Sequence, residues 1–312
     1  ASGLQDILRI IRAGYRESSR RGKLVKLKHN VVKDYIKFNL RGFNKNSFKS
    51  FKIVIDTANA VSGMAVTQIF KNLPCEVIHL FKKSDGRFPN HEPNPLIEDN
   101  LKQLKSAVVR QKADFGVAFD GDSDRIFFVD ENGRTLNNSV IAAFLTVPVL
   151  RNHPGDKILY DVRSSRIVEE TIKNSGGLPV VYCVGHSLIK EKMRKDNILF
   201  GAEFAGHYYH RDHYFCDAPF FVLFTILKEM GKKSFSQMVM PYQKYYHSGD
   251  INLKISDKKT ALSRLKKQYA SGHLLEIDGL RVDYPDWWFL ARASNTEPVL
   301  RLIVEAKTKD LM

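Results

Sequence analysis

Asp120, Asp122 and Asp124 alternate with Gly121 and Ser123, and Arg125 follows at once. Three carboxylates this close repel one another, and gathering them is costly unless a cation neutralises the charge. An all-oxygen donor set is hard, so the ion expected is Mg2+ or a relative, or Ca2+. The bland alternative is a solvated acidic turn. An EF-hand also places acids at its first, third, fifth and twelfth positions, and Glu131 falls on the twelfth here. That loop needs glycine at its sixth position, which is Arg125, and it needs helical flanks. The flanks here, 115–119 and 126–129, are short β-rich apolar runs, which excludes the EF-hand.

Two further clusters could do chemistry. In residues 292–301, RASNTEPVLR, Arg292 and Arg301 flank a turn containing Ser294, Asn295 and Thr296. Guanidinium groups with hydroxyl and backbone N–H donors suit a phosphate dianion. In GAEFAGH, Glu203 and His207 lie four residues apart around Gly206. A carboxylate can accept hydrogen bonds from vicinal sugar hydroxyls, and a histidine can move a proton near neutral pH. DVRSSR (161–166) and VGHSLIK (184–190) place Arg163, Gly185 and His186 directly after strand-like runs. The ends of such strands are where open α/β sheets put their ligands. A metal loop, a sugar reader and a phosphate cradle together match phosphoryl transfer to or from a sugar phosphate.

The elements that must hold these residues are legible in outline. Residues 3–16 and 31–40 read as helices joined by a basic loop, with too little apolar periodicity for a complete domain. From Phe51 the pattern becomes α/β: strands at 52–55 and 75–81, a helix at 97–111, the acidic hairpin and an apolar helix at 138–150. A second unit of the same kind follows, with strands at 157–161 and 179–184 and helices at 165–175 and 220–230. The last stretch has a strand at 251–255, a helix at 258–269, and strands at 279–284, 288–293 and 300–305. The fold expected is two tandem, similar α/β domains with mixed sheets, then a small α+β domain with an antiparallel sheet. The expected divisions are 1–44, 45–151, 152–249 and 250–312.

Composition bounds the rest. The net charge is +15, but residues 1–50 hold 13 Lys and Arg against 3 Asp and Glu, so most of the excess is local. No nucleic-acid motif accompanies it, and a solvated basic face is the reading taken. No apolar run reaches the ~18 residues that span a bilayer, so no membrane partner is expected. Cys75, Cys183 and Cys216 form neither a disulfide framework nor a zinc pattern. With no secretory signal at its start, a reducing cytoplasm is expected.

These residues carry a resemblance. The chain resembles the α-D-phosphohexomutases, the phosphoglucomutase/phosphomannomutase superfamily, over about residues 45–306. The family's metal loop, Asp-Gly-Asp-x-Asp-Arg, is matched at 120–125; its sugar loop, Gly-Glu-Met-Ser-Gly-His, is similar to 202–207; and its phosphate loop is similar to 292–301. FPNHEPNP (88–95) and GHSLIK (185–190) are also family-like, and Asn295 favours the phosphomannomutase/phosphoglucomutase branch. The resemblance implies a four-domain enzyme that interconverts hexose 1- and 6-phosphates through a bisphosphorylated sugar and a phosphoserine on the first domain. It implies Mg2+ on Asp120, Asp122 and Asp124, and Arg125 on the transferring phosphoryl group. Arg163, Gly185 and His186 would contact substrate, Glu203 the sugar hydroxyls, and His207 would carry a proton. Arg292, Ser294, Asn295, Thr296 and Arg301 would hold the distal phosphate. The implied partners are hexose phosphates and a hexose bisphosphate, bound by a monomer or homodimer.

The sequence departs from the family at three points. The serine loop, Thr-Ala-Ser-His-Asn-Pro, occurs nowhere in it. Ala202 and Ala205 stand where Gly and Ser are usual, and the lost hydroxyl is a contact of typically ~1 kcal/mol. The chain also stops at Met312, short of the family's final helix. The expectation is a piece of a longer mutase, inactive by itself; the alternative is a non-catalytic sugar-phosphate binder derived from one.

Overall fold

The computed structural model of the chain describes residues 2–14, 17–44, 48–71, 73–294 and 298–312. Helix α1 (Ser2–Ala13) is followed by Gly14 at a φ of +79°, the last two residues of the expected 3–16 helix lie outside the described residues, and Leu4, Ile7 and Ile11 are exposed. Helix α2 (Val31–Asn39) starts at Asn30, whose side chain caps the Lys33 N–H. The sequence groups α2 with the helical remnant of 1–44, but Ile36, Leu40 and Phe43 pack on the core of the units that follow. Phe43 meets Phe48 and Phe224 there.

Two sheets share one design. In the first unit, β1 (Lys52–Asp56), α3 (Ser62–Phe70), β2 (Glu76–Leu80), a 3-10 turn (Glu98–Leu101) running into α4 (Lys102–Gln111), β3 (Phe115–Phe119) and β4 (Ile126–Asp130) give the strand order β2-β1-β3-β4. Strands β1, β2 and β3 are parallel and β4 returns antiparallel. After α5 (Asn138–Arg151) the second unit repeats it with β5 (Lys157–Asp161), α6 (Arg166–Asn174), β6 (Leu178–Tyr182), α7 (His186–Asp196), β7 (Phe200–Ala202) and β8 (Tyr208–His210). A short β9 (Cys216–Asp217) extends that sheet to β6-β5-β7-β8-β9. The sheets are therefore mixed and the two units alike, as their sequences suggest. In this alignment the acidic β3–β4 hairpin and the Glu203–His207 hairpin between β7 and β8 are equivalent turns.

One core joins the two units. The inner faces of both sheets (Ile53, Phe115 and Phe128; Ile158, Phe200 and Tyr208) close on α5, α8 (Pro219–Glu229) and the short α9 (Phe235–Val239). Helix α5 is apolar all round because it is covered on all sides, and α8 reads the same way. The outer faces are covered by α4 in the first unit and α7 in the second. Strands β3 and β4 are buried at every position, so the polar hairpin tip emerges from a rigid base.

The last unit begins after β10 (Tyr246–His247). It comprises β11 (Ile251–Lys254), α10 (Lys258–Gln268), β12 (His273–Leu275), β13 (Leu280–Asp283), β14 (Trp287–Ala293) and β15 (Val299–Ala306). Its sheet is antiparallel, with α10 on one face. The other face docks on the second unit through Trp288, Leu290 and Ile303 against Val162. Arg281 stacks on Trp288 at 3.8 Å and donates to the Val162 and Ser164 carbonyls. Trp288 Nε1 donates to Glu305, which also accepts the Arg166 N–H. Asp278 ties Arg292 to the strand ends of the second unit: it lies 2.9 Å from Arg292 Nε and accepts the Val184 N–H at 3.2 Å. No helix among the described residues is long and apolar enough to cross a membrane.

Candidate active site

The acidic tip is braced before it meets any ligand. Asp120 is 1% exposed; one of its oxygens accepts the Arg125 N–H at 3.1 Å and the other the Arg125 Nε–H at 2.6 Å. Ser123 takes a φ of +64°, a left-handed setting that closes the tight reversal at a cost of about 1–2 kcal/mol. One oxygen each of Asp120, Asp122 and Asp124 lie within 4.8 Å of one another, a spacing that one small cation can bridge. Burial, reinforced by Asp120, Asp217 and Asp122 and opposed by His207, pushes the Asp124 carboxyl up to about 7. Left to themselves, the three groups do not all hold their charge, which is the electrostatic mark of a place for a cation. Arg125 engages both oxygens of Asp120.

The two equivalent hairpins touch. Ile126 N donates to the Gly206 carbonyl at 3.1 Å, and Arg125 and His207 form an antiparallel bridge. Gly206, at φ +90°, is required on two counts, since a Cβ there would come within 2.5 Å of the Phe127 ring. The bridge brings His207 Nδ1 to 3.7 Å from Asp124. The same nitrogen is 3.0 Å from Asp217, and the ring lies nearly parallel to those of His186 and Tyr209. Burial pulls His207 down, but the Asp217 bond and the charges of Asp124 and Glu203 outweigh it and hold the imidazole above its usual value. Asp217 also pairs with Lys190 at 2.5 Å, and these two bonds hold its carboxyl low against burial.

Glu203 is 3% exposed and takes hydrogen bonds from Tyr209 Oη and, at 3.4 Å each, from Arg163 Nη2 and Gly185 N. Burial and the Asp161 charge push its carboxyl up against the pull of Tyr209, His207 and Arg163. Arg163 is itself buried, forked onto Asp161 at 3.2 and 2.7 Å. Gly185 precedes α7 with a φ of +129°, and His186 opens that helix, exposed, with its Nδ1 3.2 Å from Lys190. Tyr209→Phe would strand a buried carboxylate oxygen. We expect it to cost about 1–3 kcal/mol in urea unfolding and to raise the Glu203 pKa further.

On the last sheet, Arg292 and Arg301 are direct cross-strand partners of β14 and β15. Like charges opposite one another are destabilising unless an anion or a carboxylate lies near. Asp278 lies 2.9 Å from Arg292 Nε. The Ser294 backbone is fixed by the Val299 carbonyl and by Lys258. Asn295 and Thr296 lie outside the described residues.

The structure thus draws Asp120, Asp122, Asp124, Arg125, Glu203 and His207 together, with Arg163, Gly185 and His186 around Glu203 and His207. Sequence reasoning missed Asp161, Lys190, Tyr209, Asp217 and Asp278. Asp161 and Lys190 lie in stretches already singled out, and the strand-end position of Asp161 was a usable signal. Asp217 gave none, since only the pairing of β9 with β8 delivers it to His207.

Three family models match along the chain. They are phosphoglucomutase/phosphomannomutase alpha/beta/alpha domain II over residues 32–133, domain III over 137–245 and the C-terminal domain over 251–312. The chain is 35% identical over 278 residues to phosphohexose mutases of Xanthomonas campestris, covering 88% of this chain and 62% of that protein. It is 33% identical over 321 residues to a phosphomannomutase of Escherichia coli, covering 98% of this chain and 70% of that one. The crystal structure of a phosphoglucomutase/phosphomannomutase family protein from Burkholderia thailandensis superposes with a TM-score of 0.83 at 30% identity, over 91% of this chain and 62% of that one. An Aspergillus fumigatus N-acetylphosphoglucosamine mutase, in complex with GlcNAc-6P and magnesium, shares the fold at a TM-score of 0.61 and 15% identity, over 89% and 66% of the two chains. The chain spans about two thirds of the length of such relatives. With the hairpin geometry and the matches in agreement, this chain belongs to the phosphoglucomutase/phosphomannomutase family.

Proposed function

We propose that this chain is the metal-, sugar- and phosphate-binding part of a phosphohexomutase that interconverts hexose 1-phosphate and hexose 6-phosphate through a bisphosphorylated sugar. One observation carries the reading: the acidic hairpin and the Glu203–His207 hairpin are joined by a backbone bridge, with His207 3.7 Å from Asp124. The all-oxygen donor set fits Mg2+, and Asp120, Asp122 and Asp124 would hold it. When bound, the ion supplies positive charge for the transferring phosphoryl group. Arg125 adds a guanidinium to that charge. Asp217 engages His207 Nδ1, which leaves Nε2 as the nitrogen that exchanges a proton with a sugar hydroxyl. Glu203 accepts sugar hydroxyls, while Arg163, Gly185 and His186 shape the substrate contact around it. Arg292, Ser294, Asn295, Thr296 and Arg301 hold the second phosphate. The divisions that follow are a helical lead-in to residue 44 and units at 45–151, 152–249 and 250–312.

The phosphoryl carrier is a serine loop that these 312 residues do not contain. The expected result is therefore binding without turnover. Calorimetric titration should show glucose 1-phosphate, mannose 1-phosphate and glucose 1,6-bisphosphate binding more tightly with Mg2+, and a coupled assay should show no glucose 6-phosphate formed. Sustained conversion by the pure chain would overturn the carrier assignment, and no binding of any of the three sugars would overturn the site. Ala205, in place of a sugar-contacting serine, favours a second reading: a sugar-phosphate binding protein derived from a mutase. Adding a phosphorylated serine domain from a relative distinguishes them, since only the first reading predicts restored turnover.

A further inference from the structure

His91 is set where both of its ring nitrogens face acceptors. Nε2 lies 3.1 and 3.3 Å from the two oxygens of Asp56, and Nδ1 lies 2.8 Å from the Glu92 carbonyl oxygen. An ionised carboxylate and a carbonyl have no proton to give, so both contacts are hydrogen bonds only when the imidazole is doubly protonated. The carboxylate it meets is 1% exposed and also accepts the Ala58 N–H at 2.8 Å. The ring stands edge-on to Phe81. Asp56 is the charged group that faces it, from β1.

The repeat between the two units gives this pair its meaning. Asp56 ends β1 as Asp161 ends β5, and each accepts the N–H of the residue two further on. In the second unit that residue is Arg163, which brings a permanent cation to its aspartate. In the first unit it is Ala58, and the cation comes from the long loop after β2 in the form of a titratable histidine.

That loop also holds the acidic hairpin. Two residues past His91, the Pro93 carbonyl accepts the Gly121 N–H at 3.1 Å, and Asn94 Oδ1 accepts from Arg125 Nη1 at 3.4 Å. The Pro93 ring lies where a Cβ on Gly121 would approach to 3.3 Å. Gly121 stands between Asp120 and Asp122, so whatever fixes residues 91–94 fixes the spacing of the carboxylates.

We propose that the His91 imidazolium and the Asp56 carboxylate form a clamp that positions the acidic hairpin, and that the hairpin's order and its grip on a divalent cation fall when His91 loses its proton. The second half of this rests on the metal reading of the hairpin; the first does not. The Asp56 bond raises the His91 pKa above its usual value, against burial. A raised value means that the clamp is intact below the usual histidine range and is lost as pH rises through the folded value. Carboxylate ligands alone would give the opposite slope, gripping better as pH rises.

The test uses the metal-free 312-residue chain. Hydrogen exchange of the peptide containing Gly121 and Arg125, expressed as protection against intrinsic rates, should fall about tenfold between pH 6.5 and 9, the scale of one charge-assisted bond. Mg2+ affinity by calorimetry should fall alongside. His91→Gln should show the lowered protection at both pH values. Asp56→Asn should keep the protection the wild type has at pH 6.5 at both pH values, because the amide keeps the Ala58 acceptor and donates to a neutral His91. Wild-type protection that ignores pH, or an alkaline loss that persists in Asp56→Asn, would overturn the clamp. Protection that follows the predicted pattern without any Mg2+ binding supports the clamp and removes the metal reading. Mg2+ binding with pH-independent protection removes the clamp and leaves the metal reading.

Discussion

Replacing Arg292 with alanine is expected to weaken glucose 1-phosphate binding by about a hundredfold, which is two charge-assisted hydrogen bonds at about 1.5 kcal/mol each. The cause is the register of the last sheet. Arg292 and Arg301 are opposed across β14 and β15, a placement of two guanidinium groups that suits a shared dianion. The Asp278 carboxylate lies 2.9 Å from Arg292 Nε, and a phosphate met by the terminal nitrogens would make a planar two-point contact. Arg292→Lys keeps the charge and loses the fork, so its affinity should fall between wild type and alanine. Arg292→Ala relieves a like-charge pair but also removes the Asp278 ion pair, so stability to urea should change by no more than about 1 kcal/mol. Calorimetric titration of the three proteins checks the order, and wild-type affinity in Arg292→Ala would disprove the phosphate assignment.

The same sheet shows how far the sequence could be read. Arg292 and Arg301 stand at the ends of alternating strands in the chain, and their pairing follows from an ordinary hairpin register. The acidic hairpin was legible because FGVAF and IFFVD are continuous apolar runs that can only be buried strands, so the acids between them had to form a tip. The tandem repeat was legible from the recurrence of strand–helix units. What stayed hidden depended on contacts between elements. Strands β8 and β9 are three and two residues long within HYYHRDHYFCD, too short to show a period, yet they bring Asp217 to His207. The short β12 was missed for the same reason. That the hairpins of the two units are equivalent turns, and touch, appears only when the strand orders are compared. Arg163 reads in sequence as a substrate contact. In the structure its guanidinium is committed to Asp161 and Glu203, which makes it a brace for the Glu203–His207 hairpin.

That commitment gives the largest expected change in stability. Asp161 is fully buried and accepts from Arg163 N at 2.7 Å, Arg163 Nε at 3.2 Å, Arg163 Nη2 at 2.7 Å and Phe204 N at 2.8 Å. Asp161→Ala leaves a buried guanidinium with Glu203 alone, and should cost about 3–5 kcal/mol in urea unfolding. Because Phe204 lies between Glu203 and Ala205, sugar-phosphate affinity should fall with it. The milder Asp161→Asn removes the charge and keeps an acceptor for only one of the two backbone N–H groups, because Arg163 N and Phe204 N bond to different oxygens. Here the two repeats should part ways. Arginine cannot shed its proton, so Asp161→Asn still strands a buried cation and should cost a large part of the alanine penalty. Histidine can, so Asp56→Asn should cost little, with His91 turning neutral to suit its new partner. Equal losses from the two asparagine variants would overturn this difference between the equivalent strand ends. Unequal losses in the predicted order would show that Asp161 answers a fixed cation and a second backbone N–H, where Asp56 answers a histidine that can adapt.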